Sequence, residues 1–450
     1  MPGTPSDRRL TGETIELLQA LIRNACVNDG TPDSGEEWRN ADVLQTFLEG
    51  AGLDVQRFES RPGRASVVAR IEGSDPGAPS LCLMGHTDVV PVSPDGWHND
   101  PFGGELIDGE VWGRGAIDML NLTASMAVAF RHLARSGFRP RGDLIYFGVA
   151  DEEAGALWGA EWMFEHHPDA IDADYCLTEL GGWSTVDDHG TRHVTVNIGE
   201  KGLAWRKLRV HGTPGHGSMP FGSDNALVKA ARIVDRLAEY QPKPYISDIW
   251  RAQVESLGLA DEMRTALLDP DRLDATLATL PVAVARTCHA LTHTTISPNV
   301  AHGGQKTNVI PDAVDLEVDI RTVPGTTRAD VEALLADALG DLYAHVEVSE
   351  LQHSSATQCG TDNQLWETIA KHTQVAYPGA KLIPGLIVGG TDARFYRDRG
   401  RVAYGAGLFS PNMDFATFGT RFHGHDERID VDSLELATQF WIGISQDLVG

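Results

Sequence analysis

Residues 144–153 read LIYFGVADEE, an apolar run of strand length followed directly by three carboxylates. A second apolar run, LCLM at 81–84, likewise ends in a polar segment, GHTD at 85–88. Between them, residues 119–133 carry apolar side chains at helical spacing, and Gly137 is a suitable helix stop. Strands that alternate with helices predict an α/β architecture with a mostly parallel sheet, in which chemistry gathers at the carboxyl ends of the strands.

The pattern changes near residue 203, where a Gly/Pro/Ser-rich loop, a Pro-punctuated helical segment and alternating strands follow. This change of pattern predicts a second, α+β domain at 204–355, inserted into a first domain formed by 1–203 and 356–450. Apolar residues at helical or alternating spacing predict further helices and strands in both domains.

Composition excludes several classes of function. The chain has 450 residues with 37 Lys and Arg against 64 Asp and Glu, a net charge of −27. Such an acidic protein repels phosphate backbones and anionic bilayers, so we expect neither a nucleic-acid partner nor a membrane partner. No apolar run approaches the ~18 residues of a membrane span. The absence of an apolar signal-peptide core after Arg9 and of CxxC spacing predicts reduced thiols and a cytoplasmic location.

Five polar segments are candidates for chemistry, and each has an ordinary structural interpretation as well. Taken alone, they read as a loop histidine, a helix N-cap, an acidic first helical turn, a turn residue and a polar surface loop. In chain order, their key residues are His86 with Asp88, Asp118, Asp151 to Glu153, Glu179, and His423 with His425.

Together the segments place histidines and carboxylates at the ends of predicted parallel strands, where one site can collect them. His86 and Asp88 face the same side of an extended chain, so Asp88 can orient the His86 ring. In the acidic run, one carboxylate can bind a divalent cation while its neighbour serves as a general base. Nitrogen and carboxylate ligands without cysteine are typical of hydrolytic Zn²⁺, and also suit Mn²⁺ or Co²⁺.

The order HTD, GRGAxD, DEE, TELGG, HGxxE resembles the di-zinc peptidase family that includes glutamate carboxypeptidase, aminoacylase, acetylornithine deacetylase and succinyl-diaminopimelate desuccinylase. The resemblance covers nearly the whole chain. It implies a zinc-exopeptidase-like catalytic domain with an inserted lid or dimerisation domain.

The resemblance also implies roles for single residues. His86, Asp118 and Glu179 would hold one metal ion, and Asp118 would bridge to a second ion held by Glu153 and His423. The choice of His423 over His425 rests on the alignment to HGxxE. Glu152 would be the general base, Asp88 would orient His86, and the peptide bond after Asp118 would be cis.

In the inserted domain, residues 210–218 (VHGTPGHGS) resemble a family motif whose histidine, here His216, reaches the active site of a partner subunit and stabilises the oxyanion. This implies a homodimer formed through the lid domain. Asn308 and Arg321 match substrate-contacting lid positions, and the GGTDAR loop at 389–394 matches a loop that lines the substrate pocket. The predicted contacts of that loop are made by Gly390, Thr391 and Arg394.

These features predict a metal-dependent hydrolase of amide bonds in small, carboxylate-bearing molecules. The bond cut would be that of a peptide's C-terminal residue, a dipeptide or an N-acyl amino acid, as in a carboxypeptidase, a dipeptidase or an aminoacylase. Two divalent ions, Zn²⁺ first and Co²⁺ or Mn²⁺ as alternatives, would activate the water. Either Arg321 or Arg394 would pair with the substrate carboxylate, although each also fits a surface ion pair. Two rival functions are a non-catalytic metal-dependent binding protein of the same fold and a mononuclear amidohydrolase or aminopeptidase.

Overall fold

A computed structural model of the protein describes residues 5–187 and 189–450, and the chain divides into two compact units. The first unit runs to Ile198 and resumes at Cys359–Gly385 and Thr391–Gly450, whereas the second comprises Gly199–Gln358 and Leu386–Gly390. The second unit overlaps the predicted domain 204–355 and also includes Leu386–Gly390, which the prediction placed in the first domain. Residues 1–4, on which part of the signal-peptide prediction rests, lie outside the described residues.

The first unit alternates helices and strands, as its sequence predicts. Before the second unit, its elements are α1 Pro5–Arg23, α2 Trp38–Glu49, β1 Val55–Arg61, β2 Arg64–Ile71, β3 Leu81–His86, β4 Leu106–Ile107, β5 Glu110–Trp112, α3 Leu120–Ser136, β6 Leu144–Val149, α4 Ala160–His166, α5 Pro168–Ile171, β7 Tyr175–Thr178, β8 Ser184–Val186 and β9 Arg192–Glu200, whose end reaches the second unit.

The second unit begins with an antiparallel pattern. Its elements are β10 Gly202–His211, β11 Gly215–His216, α6 Ala226–Glu239, α7 Asp248–Ser256, α8 Asp261–Leu268, α9 Leu273–Leu277, α10 Val282–Thr292, β12 Thr295–Gly303, β13 Val309–Ile310, β14 Ala313–Thr322, α11 Arg328–Leu339, β15 Val346–Ser354 and β16 Thr357–Gln358.

The chain then completes the first unit. The remaining elements are α12 Gln364–Ala376, β17 Lys381–Ile387, α13 Ala393–Arg397, β18 Val402–Gly405, α14 Phe415–Arg421, β19 Arg428–Asp430 and α15 Val431–Val449.

The main sheet of the first unit has the order β1-β2-β6-β3-β7-β18-β9. Its centre is parallel, since β3 pairs in parallel with both β6 and β7, and β18 with β7. Antiparallel strands flank this centre on both sides. The largely parallel sheet predicted from the sequence is therefore confirmed, and the carboxyl ends of β3, β6 and β7 meet at one edge.

Helices cover both faces of this sheet because its strands are apolar on both sides. Phe147 packs with Met163 of α4 on one face. On the other face, the Tyr146 ring lies 6.0 Å from Phe130 of α3. Trp441 of α15 is buried against α3, where its Nε1–H donates to Ser125 Oγ at 3.0 Å.

The second unit contains a four-stranded antiparallel sheet in the order β12-β14-β10-β15. Strand β14 alternates buried and partly buried residues, and α6 and α11 pack on its buried face. Helices α7 to α10 form their own small core around Trp250 and Leu273. The unit is thus an α+β insertion within the first unit's chain.

Candidate metal centre

His86 is the last residue of β3 and is buried. Its Nε2 lies 3.0 Å from Asp118 Oδ1 and 3.5 Å from Glu179 Oε2. Its Nδ1 lies 3.0 Å from the backbone oxygen of Asp88 and 3.6 Å from Asp88 Oδ1. Because a carbonyl oxygen only accepts, Nδ1 carries the proton of the neutral ring and Nε2 turns its lone pair toward the carboxylates. Asp88 thus lies beside the His86 ring, and the Asp88 backbone oxygen, rather than its carboxylate, accepts the hydrogen bond that orients the ring.

Asp118 lies in the loop that leads into α3, and the peptide bond between Asp118 and Met119 is cis, as the resemblance implies. Its Oδ1 faces His86, whereas its Oδ2 lies 2.8 Å from His423 Nε2. One carboxylate therefore presents its two oxygens to two different histidines, which is the arrangement expected of a bridging ligand.

The three carboxylates after β6 have different surroundings. Asp151 Oδ2 accepts the backbone N–H of Trp158 at 2.8 Å, so Asp151 holds its own turn. Glu153 Oε2 lies 3.5 Å from His423 Nε2, and Glu153 Oε1 is buried without a hydrogen-bond partner among the described residues. Glu152 is partly exposed, and its backbone N–H donates to Asp88 Oδ1 at 3.3 Å. Within the described chain, no hydrogen bond or ion pair occupies the Glu152 carboxylate.

Glu179 follows β7 and is buried. Strands β3 and β7 are parallel neighbours, so the residues that end them reach the same edge of the sheet. This register brings Glu179 beside His86 although 93 positions (179 − 86) separate them in the sequence.

Two groups of three ligands result, one of His86, Asp118 and Glu179 and one of Asp118, Glu153 and His423. In each group, one ligand atom from every residue lies within 4.8 Å of the others. The ion-pair distances of 2.8 to 3.5 Å bracket the about 3.3 Å that separates ligands around tetrahedral Zn²⁺ with bonds of about 2.0 Å. The unpartnered Glu153 Oε1 and the donor set both fit a divalent metal at this position.

The electrostatics of the centre favour a cation. Burial raises the pKa of Glu153 and Glu179, and the charge of Asp118 raises it further. Burial lowers the pKa of His423, but hydrogen bonds with Asp118 and Glu153 outweigh it and raise the pKa to about 10. The carboxylates thus repel one another and attract positive charge, which a divalent ion would supply.

Glu427 is a positioning residue whose contacts the sequence did not reveal. Its Oε1 accepts three backbone N–H groups of the 115–118 turn, including that of Asp118 at 3.1 Å. Its Oε2 pairs with buried Arg114 at 2.5 Å, and Arg114 donates to the backbone oxygen of His423 at 3.2 Å. Glu427 therefore connects the segments that carry Asp118 and His423. Its only sequence signal was its place in the HGxxE motif.

Asn28 is a second such residue, and no local pattern marks it. Its Nδ2 donates to Asp88 Oδ2 at 2.8 Å and to Asp151 Oδ1 at 3.1 Å. The Asp88 carboxylate also accepts the backbone N–H groups of Glu152 and Glu153. Asp88 therefore fixes the acidic loop as well as the imidazole of His86.

His425 does not join the centre. Its ring lies against Gly96, where an added Cβ would come within 2.2 Å of the imidazole. Of the two histidines in the HGHDE segment, the structure brings only His423 to Asp118.

The GGTDAR loop at 389–394 is divided between the units, and the part from Thr391 onward belongs to the first unit. Arg394 donates to the backbone oxygens of Thr391 and Gly155, which connects this loop to the one that carries Glu152 and Glu153. Asp392 is buried, both its oxygens lack hydrogen-bond partners among the described residues, and burial raises its pKa to about 7. Gly390 belongs to the second unit and is exposed.

In the second unit, His216 and Asn308 lie on one two-stranded ribbon, where His216 pairs with Val309. Both residues are exposed. The backbone N–H of Ser218 donates to His216 Nδ1 at 3.2 Å, so the neutral ring carries its proton on Nε2. His216 can therefore donate a hydrogen bond from Nε2.

Arg321 lies on β14, and Asp319 of the same strand accepts from its Nε at 2.8 Å and its Nη2 at 3.4 Å. The guanidinium also lies over the Trp205 ring, 5.7 Å from its centroid. Arg321 therefore forms an ion pair within the protein, which was the predicted alternative to binding a substrate carboxylate.

Comparison with known proteins identifies the family. The sequence profile of "Peptidase family M20/M25/M40" matches residues 82–447. The chain belongs to this family. Among its curated M20 relatives is the "N-fatty-acyl-amino acid synthase/hydrolase PM20D1" of Xenopus tropicalis, 28% identical over 97% of this chain and 86% of the relative. A "Succinyl-diaminopimelate desuccinylase" of Rhodopseudomonas palustris is 29% identical over 97% and 98% of the two chains.

Among solved M20 structures, the metallo-carboxypeptidase Sso-CP2 of Sulfolobus solfataricus superimposes with a TM-score of 0.71 at 18% identity, covering 96% of this chain and 98% of that one. The M20 membership confirms the predicted family, fold and enzyme class, a metal-dependent hydrolase of amide bonds. None of the helices in the described part of the chain is both long and apolar enough to cross a bilayer.

Proposed function

We propose that this M20 hydrolase uses two divalent ions to cleave an amide bond in a small molecule that carries a carboxylate. The observation that supports this best is Asp118, whose two oxygens each face a separate histidine at 3.0 and 2.8 Å. His86 and Glu179 complete one ligand group, and Glu153 and His423 complete the other. Zn²⁺ suits these nitrogen and oxygen ligands, and Co²⁺ or Mn²⁺ are the alternatives.

A metal pair supplies polarisation of the scissile carbonyl and a lowered pKa for the attacking water. We assign the proton transfer to Glu152, which takes a proton from the attacking water and delivers it to the leaving nitrogen. The assignment is supported by contrast with its neighbours, since Asp151 holds a backbone turn and Glu153 faces His423. The Glu152 carboxylate has no such engagement within the described residues and is partly exposed, so a substrate can reach it.

His216 is proposed to stabilise the oxyanion as a donor. Its Nδ1 accepts from Ser218, which leaves Nε2–H for a substrate oxygen. Following the resemblance, we propose that His216 acts on the active site of a partner subunit, and that Asn308 beside it contacts the same substrate. A homodimer formed through the second unit is part of this proposal.

The substrate class is inferred from the relatives and from an arginine. The two relatives are named for an N-fatty-acyl amino acid and for succinyl-diaminopimelate, and each of these compounds contains an amide bond and at least one carboxylate. We propose that Arg394 recognises a substrate carboxylate and that Thr391 and Gly390, which belong to the same loop, also contact the substrate. Arg321 is the weaker candidate, because the Asp319 carboxylate already neutralises its charge, whereas the hydrogen bonds of Arg394 go to backbone oxygens.

A cytoplasmic location is proposed from the thiols. All five cysteines are free, which suits a reducing compartment.

The test is a mass-spectrometric screen of dipeptides and N-acyl amino acids with the protein loaded with Zn²⁺, Co²⁺ or Mn²⁺. We expect chelator-sensitive release of a free amino acid from a subset of these compounds. Binding without turnover would favour a non-catalytic metal-dependent protein. Full activity with one bound ion at the His86 centre would favour a mononuclear amidohydrolase or aminopeptidase.

A further inference from the structure

The second unit contains a separate cluster of metal-ligating side chains, formed by Asp274 of α9, His289 of α10 and His293 just after α10. One ligand atom from each lies within 4.8 Å of the others. Asp274 Oδ1 is 3.1 Å from His293 Nε2, close to the about 3.3 Å expected between two ligands of tetrahedral Zn²⁺. The two histidines are one helical turn apart, so their rings lie on the same side of the helix.

The protonation of His293 shows why this cluster needs a cation. Its Nδ1 lies 3.1 Å from the backbone oxygen of His289 and 3.0 Å from Thr292 Oγ1. The Thr292 hydroxyl donates to the backbone oxygen of Cys288 at 2.7 Å, so both oxygens beside Nδ1 act as acceptors and Nδ1 carries the ring proton. In the neutral ring, Nε2 then turns a lone pair toward the Asp274 carboxylate, which is also an acceptor. His293 is 1% exposed, and its Nε2 is buried without a hydrogen-bond partner among the described residues.

Two acceptors at this distance require either a second proton on His293 or a cation between them. A second proton would place a charged imidazole in a site where His293 is only 1% exposed. A metal ion, by contrast, takes the neutral imidazole as its ligand.

We propose that Asp274, His289 and His293 bind a third divalent metal ion, of the Zn²⁺ class, that fastens α9 to α10. The role is structural and is independent of the amide hydrolysis proposed above. It would connect the last two helices of the α7 to α10 segment, whose own core contains only a few large side chains, among them Trp250 and Leu273. A structural ion commonly supplies stability where the apolar core is small.

Binding requires one local change. The two imidazole rings are stacked, with centroids 4.0 Å apart and planes 6° from parallel. A metal lies near the plane of each ligating ring, and two stacked planes cannot both contain it. His289 must therefore turn, and it is free to do so because its ring is partly exposed and no hydrogen bond within the described chain holds it.

The test counts metal ions per chain in the full-length protein. The protein is stripped with chelator, loaded with Co²⁺, dialysed, and measured by mass spectrometry of the metal and by visible absorption. Asp274→Asn and His289→Ala are compared with wild type. The controls are Asp271→Asn and His302→Ala, which alter exposed residues of the same unit outside the cluster.

We expect each cluster variant to bind one Co²⁺ fewer than wild type and to lose the corresponding part of the absorption, while the controls match wild type. This difference isolates the second-unit site, whatever number of ions the His86 centre holds. Equal counts in wild type and both cluster variants would overturn the proposal. Unchanged circular dichroism of the variants would exclude misfolding as the cause of a lost ion.

Discussion

The contact between Glu427 and Arg114 provides a quantitative test of how the metal centre is assembled. The substitution Glu427→Gln preserves the shape of the side chain, and its remaining oxygen can still accept the three backbone N–H groups of the 115–118 turn. It removes the negative charge that pairs with Arg114, which is only 3% exposed. The buried guanidinium then faces an amide in place of a carboxylate.

Breaking a buried pair by neutralising one partner costs about 3–5 kcal/mol, because the other charge stays buried. Glu110 offers a matched control, since it pairs with Arg421 and Arg428 of the same C-terminal segment but is 25% exposed. Solvent screens such a partly exposed carboxylate, so its loss should cost less, about 1 kcal/mol. We therefore expect Glu427→Gln to lower the free energy of unfolding by about 2 kcal/mol or more beyond Glu110→Gln.

The assay is chemical denaturation at pH 8, with metal titration of both variants. Burial raises the pKa of Glu427 to about 7, so its own charge is costly in the fold, but the carboxylate is mostly ionised at pH 8 and its removal leaves the buried Arg114 charge unpaired. Because Arg114 also donates to the backbone oxygen of His423, loss of its carboxylate partner should disturb the His423 loop, and we also expect metal affinity to fall by about 10–100-fold. Equal unfolding midpoints and equal affinities in the two variants would refute this reasoning.

Further predictions concern catalysis. Glu152→Gln should keep its metal but lose about 10²–10⁴-fold in kcat, because the substitution removes the general base and leaves the metal ligands. Glu165→Gln, at an exposed position, should change neither metal content nor kcat, and normal turnover of Glu152→Gln would show that Glu152 is not the base. His216→Ala should lower kcat by about 10²–10³-fold with an unchanged unfolding midpoint. The control is His211→Ala, which alters an exposed histidine of the same unit, and an unchanged kcat in His216→Ala would show that His216 has no part in catalysis. Arg394→Lys should raise KM for carboxylate substrates by about 10-fold more than for their amides, and equal effects on both would show that Arg394 does not bind the carboxylate.

The fold was predictable where burial leaves a strong periodic signal. The apolar strands at the sheet centre and the helix Arg328–Leu339 follow from sequence patterns, and a capping box at Thr327 and Asp330 marks the start of that helix. Strands β12 and β15 lie at the edges of their sheet and are largely exposed, so they lack a continuous apolar face. Their positions depend on pairing with β14 and β10 rather than on local sequence.

The candidate ligands were predictable only as a set. Each one has an ordinary local interpretation, and the order of the five motifs, rather than any single residue, indicated a common site. Residues that hold the ligands in place were harder to find. Asn28 and Glu427 act through hydrogen bonds to distant segments, which require the folded sheet edge to bring them together.

Anomalous diffraction at the zinc edge, from a crystal of the zinc-loaded protein, tests most directly whether Asp118 bridges two metal ions. We predict two peaks at the first unit's sheet edge, one contacting His86 and Glu179, the other contacting Glu153 and His423, with Asp118 touching both. A single peak at that edge, or peaks that do not share Asp118, would contradict this prediction.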